Sequence, residues 1–189
     1  MRVAIYCSSS SDIDDIFKQH AVELANLLVD SGVELVTGGG NSGLMLAVQE
    51  AALKRGGVVT GVIPTFMIER GWLCSGLTHV VETTDMQSRK DALANMADAV
   101  IALPGGPGTF EELLERISWK TLGLFPKPII ILNTENYYAP LLAMLNSSME
   151  HRFLDSALSV AWVVASTPRE ALEQLLTAPK WNNLMKRYH

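Results

Sequence analysis

A chain of 189 residues, 48% hydrophobic and 19% charged, is long enough to bury one core and short for two. Its formal charge of −5 argues against sequence-independent attachment to nucleic acid, which needs a basic face to neutralise phosphates. No stretch reaches the roughly 20 apolar residues that span a bilayer, and the apolar run at the N-terminus is too short for a secretion signal, so a cytoplasmic protein with no membrane partner is expected.

In chain order, short apolar runs rich in β-branched residues fall at 3–6, 34–37, 58–63, 79–81, 99–103, 128–132 and 160–165, and read as strands. The first leads into Cys7, a thiol in an apolar strand with no metal-ligand spacing to Cys74, so both cysteines read as reduced. After it, Ile13, Ile16, Phe17, His20, Leu24, Leu27 and Leu28 fall on one helical stripe that Gly32 ends. A second helical stretch runs to Arg55. Alternation of this kind implies βαβ crossovers. The expected fold is α/β, a doubly wound, mostly parallel, Rossmann-like sheet in a single domain over 1–189, with 178–189 a C-terminal tail. Residues 64–78 form an irregular connection of the length that often serves as a lid. Glu69 is its candidate substrate contact.

In doubly wound sheets ligands bind beyond the carboxyl ends of the strands, so the strand-to-helix turns are where chemistry is expected. The turn after the first strand holds Ser8, Ser9, Ser10 and Ser11, which suit a ligand contact at Ser8 or a cap for the following helix. Gly38-Gly39-Gly40 follows the second strand, without the spacing of a dinucleotide or triphosphate loop. Gly39 and Gly40 could approach a ligand, and a tight packing turn explains them nearly as well. The third turn, Pro104-Gly105-Gly106-Pro107-Gly108 leading to Thr109, carries the strongest signal, since consecutive amides at a helix start make an anion site. Thr109-x-x-Glu112 is also the pattern of a capping box, which would make Glu112 a cap and nothing more. Arg89 and Lys90 lie just before the helical stretch that leads into this strand and turn, where two cations could meet a phosphate or orient a carboxylate, or form an ordinary solvated helix start.

The combination resembles the LOG ("lonely guy") family, cytokinin riboside 5′-monophosphate phosphoribohydrolases often labelled possible lysine decarboxylases. The resemblance runs from the first-strand serines through Gly38-Gly39-Gly40 with Gly43-Leu44-Met45, Gly61-Val62-Ile63-Pro64, and Met86 with Arg89-Lys90, to Trp119 with Leu122-Gly123 and Lys127-Pro128. The family's PGGxGTxxE signature is matched at every fixed position from Pro104 to Glu112. The family's usual His-Glu before the arginine is Gln87-Ser88 here, and the aromatic often found inside the glycine turn is Pro107. The resemblance implies that Arg89 and Glu112 are catalytic and that Gly105, Gly106, Gly108 and Thr109 surround a phosphate. Pro107, Lys90, Gly39, Gly40 and Ser8 complete the expected substrate site. It implies hydrolysis of a nucleoside 5′-monophosphate, such as AMP or an N6-modified, cytokinin-type analogue, to free base and ribose 5-phosphate. It further implies a homodimer or larger homo-oligomer with pockets near the subunit interface. The alternative on the same fold is a carrier of nucleotide or molybdenum cofactor without catalysis. No metal or cofactor is expected, because His20, His79, His151 and His189 are scattered and no motif singles out a lysine for pyridoxal phosphate.

Overall fold

The computed structural model describes residues 1–178, so all but the first residue of the tail read at 178–189 lies outside the described residues. The elements run β1 (Arg2–Tyr6), α1 (Asp15–Asp30), β2 (Glu34–Thr37), α2 (Gly43–Lys54), β3 (Val59–Pro64), α3 (Thr65–Glu69), β4 (His79–Thr83), α4 (Met86–Met96), β5 (Ala99–Ala102), α5 (Pro107–Thr121), β6 (Ile129–Leu132), α6 (Ala139–Glu150), β7 (Val163–Ala165) and α7 (Pro168–Thr177). Each of the seven expected runs becomes a strand.

All seven strands join one parallel sheet in the order β4-β3-β2-β1-β5-β6-β7. The inner strands are apolar on both faces because helices cover both. On one face α1, α2 and α7 pack Leu24, Leu28, Val48 and Leu175 against Ile5, Leu35 and Ile101. On the other, Leu93 of α4, Leu113 and Ile117 of α5 and Leu142 of α6 pack around Ala4, Val62, Val100 and Ile131. The α1 stripe buries Ala21, Leu24, Ala25 and Leu28, and the helix stops where Gly32 takes φ 72° and Val33 N–H bonds back to Leu28.

The chain winds outward from β1 to β4, then crosses to β5 on the other side of β1. The switch point therefore lies between β1 and β5, where Val3 pairs with Ala99 and Tyr6 with Ala102. Loops diverge there and open a crevice beyond the strand ends.

Two expectations shift. The last strand begins at Val163, because Asp155 accepts from Ala157 N–H and starts a 3₁₀ turn that takes Ser156–Val160. The 64–78 connection is not a loose lid: it forms α3 and then pairs antiparallel with the glycine turn at Gly40 and Leu73.

Candidate active site

A cavity of about 680 Å³ opens at the switch point, within the range of small-ligand sites. It is lined by residues 7–10 after β1, Gly40 to Ser42 after β2, Gly106 to Thr109 after β5, and Arg89 and Glu112. Met45, Met67, Trp72 and Met86 add an apolar wall.

The turn after β5 presents its amides to this space. Gly106 is the N-cap of α5 and Pro107 its first residue, and no side chain caps the helix. Helix geometry leaves the N–H groups of Gly108 and Thr109 without an intrahelical acceptor, and Pro107 has none to offer. The carbonyls of the turn are tied back. Ser8 N–H donates to Pro104 O at 3.2 Å, Tyr137 O–H to Gly105 O at 2.6 Å, and Tyr138 O–H to Leu103 O at 2.7 Å. Gly105 itself does not line the cavity; its carbonyl is the handle by which the turn is held.

This geometry corrects the capping-box reading of Glu112. The helix starts at Pro107, two residues before Thr109, because a proline with its fixed φ suits the first helical position. Glu112 is free for another task. The capping box is in α4, where Asp85 accepts from Ser88 N–H at 2.8 Å and Ser88 Oγ accepts from Asp85 N–H. None of the first-turn serines caps α1 either, since Asp14 occupies that position. Ser8 instead lines the cavity and accepts Ser10 N–H on its hydroxyl.

Arg89 projects from the first turn of α4 into the buried floor. Its Nε donates to Val62 O at 3.1 Å, Nη2 to Gly38 O at 3.3 Å and Nη1 to Glu112 Oε1 at 3.0 Å. The two side chains are 6% and 13% exposed, which makes this a largely buried, charge-assisted pair. Burial pushes the Glu112 carboxyl above the ordinary carboxylate range, and the Arg89 guanidinium only partly offsets it. Burial likewise pushes the Cys7 thiol and the Tyr6 hydroxyl up, with the Glu112 charge adding to both. Cys7 is thus a neutral wall of the cavity and no nucleophile.

Lys90 faces elsewhere. Its ammonium bonds Glu111 at 2.7 Å and Glu115 at 3.3 Å, and it does not line the cavity. Two successive helical residues diverge by about 100°, so Arg89 and Lys90 cannot share one target. Glu69, at the end of α3, does not line the cavity either.

The turn after β2 is also put to another use. Gly39 N–H donates to Thr37 Oγ1, Gly40 N–H to Met45 Sδ at 3.1 Å and Asn41 N–H to Trp72 O at 2.9 Å. Its amides are spent inside the protein, so it forms a wall, and a phosphate finds no donor there comparable to α5. Gly38 has a steric reason: a Cβ there would collide with Arg89 Nη2. Met67 and Trp72 were missed in the sequence, and Met86 entered only through the family resemblance, with no role in the site. A tryptophan in a long irregular connection was the one available signal, and the pairing of that connection with Gly40 gives it a place.

A buried arginine–carboxylate pair that lines the same cavity as an uncapped helix start can hold an anionic group of a ligand at the helix start and present a carboxylate to another part of it. The family described as possible lysine decarboxylase matches residues 45–175. A probable cytokinin riboside 5′-monophosphate phosphoribohydrolase of Oryza sativa subsp. japonica is 41% identical over 174 residues, 92% of this chain and 71% of that protein. A cytokinin riboside 5′-monophosphate phosphoribohydrolase of Arabidopsis thaliana is 38% identical over 92% of this chain and 80% of its own length. The chain belongs to the LOG family. Solved structures place the LOG fold more widely. A molybdenum cofactor binding protein of Rippkaea orientalis superposes with a TM-score of 0.70 at 22% identity, over 93% of this chain and 94% of that one. A molybdenum cofactor carrier protein of Chlamydomonas reinhardtii does so with a TM-score of 0.69 at 21% identity, over 93% and 97%. At that identity the LOG chain and the carriers share architecture.

Proposed function

We propose that this LOG-family chain hydrolyses the N-glycosidic bond of a nucleoside 5′-monophosphate, AMP or an N6-modified, cytokinin-type analogue, releasing free base and ribose 5-phosphate. The observation that carries the reading is that the buried Arg89–Glu112 pair and the uncapped start of α5 line one cavity. The 5′-phosphate takes the amides of Gly108 and Thr109 and the positive end of the helix. Bond cleavage builds positive charge on the ribose, and a carboxylate beside the sugar stabilises it. Glu112 supplies that carboxylate and directs the water whose oxygen joins C1′, while a proton ends on the departing base. A guanidinium is a poor proton donor and a good clamp for a carboxylate, so Arg89 is assigned to hold Glu112 in place. The base lies toward Met67, Trp72 and Met86, apolar surfaces that accept a planar ring.

The family description as a lysine decarboxylase fits this site poorly. That chemistry uses pyridoxal phosphate on a lysine. Among the described residues lining the cavity there is no lysine, and Lys90 is ion-paired away from it. Hydrolase names attach to relatives near 40% identity and carrier names to structures near 22%, which favours turnover over carriage. Among the described residues no helix is long and apolar enough to cross a membrane, and free, buried Cys7 and Cys74 suit a reducing cytoplasm.

The test is release of ribose 5-phosphate from a panel of nucleoside monophosphates. Native protein is expected to cleave AMP or a modified analogue, and folded Glu112→Gln and Arg89→Ala to lose about a hundredfold or more in kcat. Nucleotide binding without release would instead identify a carrier.

A further inference from the structure

Gln49 is fully buried on α2, away from the cavity, and neither end of its amide is spare. Its Nε2 donates to Gly40 O at 2.7 Å, and its Oε1 accepts from Thr37 Oγ1 at 2.7 Å. Because a carbonyl can only accept, Gly40 O fixes which way the amide points. Thr37 Oγ1, also fully buried, accepts in turn from Gly39 N–H at 3.3 Å. Both ends of the Gly39-Gly40 unit are therefore held by two buried side chains that do not line the cavity. The same turn supplies Gly38 O, one of the two carbonyls on which the Arg89 guanidinium rests.

We infer that Gln49, with Thr37, is a positioning residue for catalysis: it fixes the Gly38–Gly40 turn, the turn fixes the Arg89 guanidinium, and the guanidinium fixes the Glu112 carboxylate. The geometry allows little slack, since Gly38 approaches Arg89 closely enough to forbid a Cβ. If the turn drifts, Nη2 loses its acceptor and the pair opens. A misplacement on the order of 1 Å at such distance from the chemistry costs up to about a hundredfold in rate. The kinetic part of this inference rests on the hydrolase reading; the electrostatic part does not. Charged and titratable groups that act on or feel Glu112 are Arg89 and Lys90 from α4, Glu111 from α5, Tyr6 and Cys7 from β1 and its end, and Tyr138 before α6.

The experiment compares native protein with Gln49→Leu, Gln49→Glu, Thr37→Val and Thr37→Ser. Folding is checked by circular dichroism. The Glu112 carboxyl is titrated by carbon-13 NMR, assigned by its loss in Glu112→Gln, and AMP turnover is followed in parallel. In Gln49→Leu and Thr37→Val, kcat is expected to fall roughly tenfold to a hundredfold with KM for AMP little changed, and the Glu112 midpoint to move up as Arg89 slackens. Thr37→Ser keeps the hydroxyl and is expected to behave as native. Gln49→Glu can donate to Gly40 O only while protonated, so its activity relative to native is expected to rise as pH falls. Folded variants that merely melt earlier, with the Glu112 midpoint and kcat unmoved, would overturn the inference. A shifted midpoint in a chain that cleaves no nucleotide would keep the positioning role and remove the hydrolase reading.

Discussion

Glu112 sits where two influences oppose each other, burial favouring the neutral acid and Arg89 the carboxylate, and burial prevails. The proposed chemistry needs the carboxylate, so turnover is lost as pH falls through a midpoint above the ordinary glutamate value near 4.3. Arg89→Ala removes the offsetting charge and leaves burial alone, so the acid limb of whatever activity survives moves to still higher pH. A pH–rate profile of both proteins checks this; a limb that stays put would mean that Arg89 does not reach the carboxylate in solution. The stability consequence has the opposite sense. With the folded midpoint raised, the unfolded chain ionises first, so stability falls as pH rises from the unfolded value to the folded one and is level above it. At this scale the sequence is ambiguous for a physical reason. Thr109-x-x-Glu112 fits a capping box and a catalytic carboxylate alike, and only the start of α5 at Pro107 separates them. Lys90 shows the converse: adjacent in sequence to Arg89, it is turned by the helix onto Glu111 and Glu115.

At the scale of elements, the sequence discloses all seven strands and the turns that matter, because apolar runs and glycine breaks are local signals. It does not disclose what braces those turns, because the braces come from distant segments. Tyr137, in the β6–α6 loop, holds Gly105 O at 2.6 Å, and Glu135 and Asn136 before it both take left-handed φ values, 52° and 58°. That strained approach brings the phenol to the turn after β5. Tyr137→Phe keeps the ring contacts with Phe17 and Phe110 and deletes only the hydroxyl. One hydrogen bond is worth about 0.5–1.5 kcal/mol net, so KM for the nucleotide is expected to rise about two- to tenfold with kcat much less affected. Steady-state kinetics decides, and a kcat loss without a KM change would assign Tyr137 to the chemistry instead. The 64–78 connection has a similar lesson. Its length suggested a lid, yet Cys74 N–H to Gly39 O at 2.8 Å and Asn41 Nδ2 to Gly71 O at 2.8 Å fasten it to the second turn.

The whole molecule leaves one face unfinished. On the side of the sheet that carries α4, α5 and α6, α6 has no fully buried residue, although Leu141, Leu142 and Leu145 lie along it. Met144 of α6 is 66% exposed, and Leu122 and Leu124 at the end of α5 and Phe153 after α6 are 63%, 66% and 87% exposed. Where such side chains form one patch, they mark a surface that another chain covers. The homodimer that the family resemblance implies would use this face, through a two-fold contact in which the same patch meets itself. Adding charge should then separate the protomers without disturbing either core, because these side chains lie outside both core clusters. Leu124→Asp combined with Phe153→Asp is expected to convert a dimer to a monomer in sedimentation analysis and to abolish the rise of melting temperature with protein concentration that a dimer shows. If native protein already sediments as a monomer, the exposed leucines belong to some other partner. If the double variant becomes monomeric and keeps full turnover, each cavity is complete within its own chain. Loss of turnover on dissociation would mean that the partner braces the α5 segment carrying Glu112, whose outer face exposes Leu114.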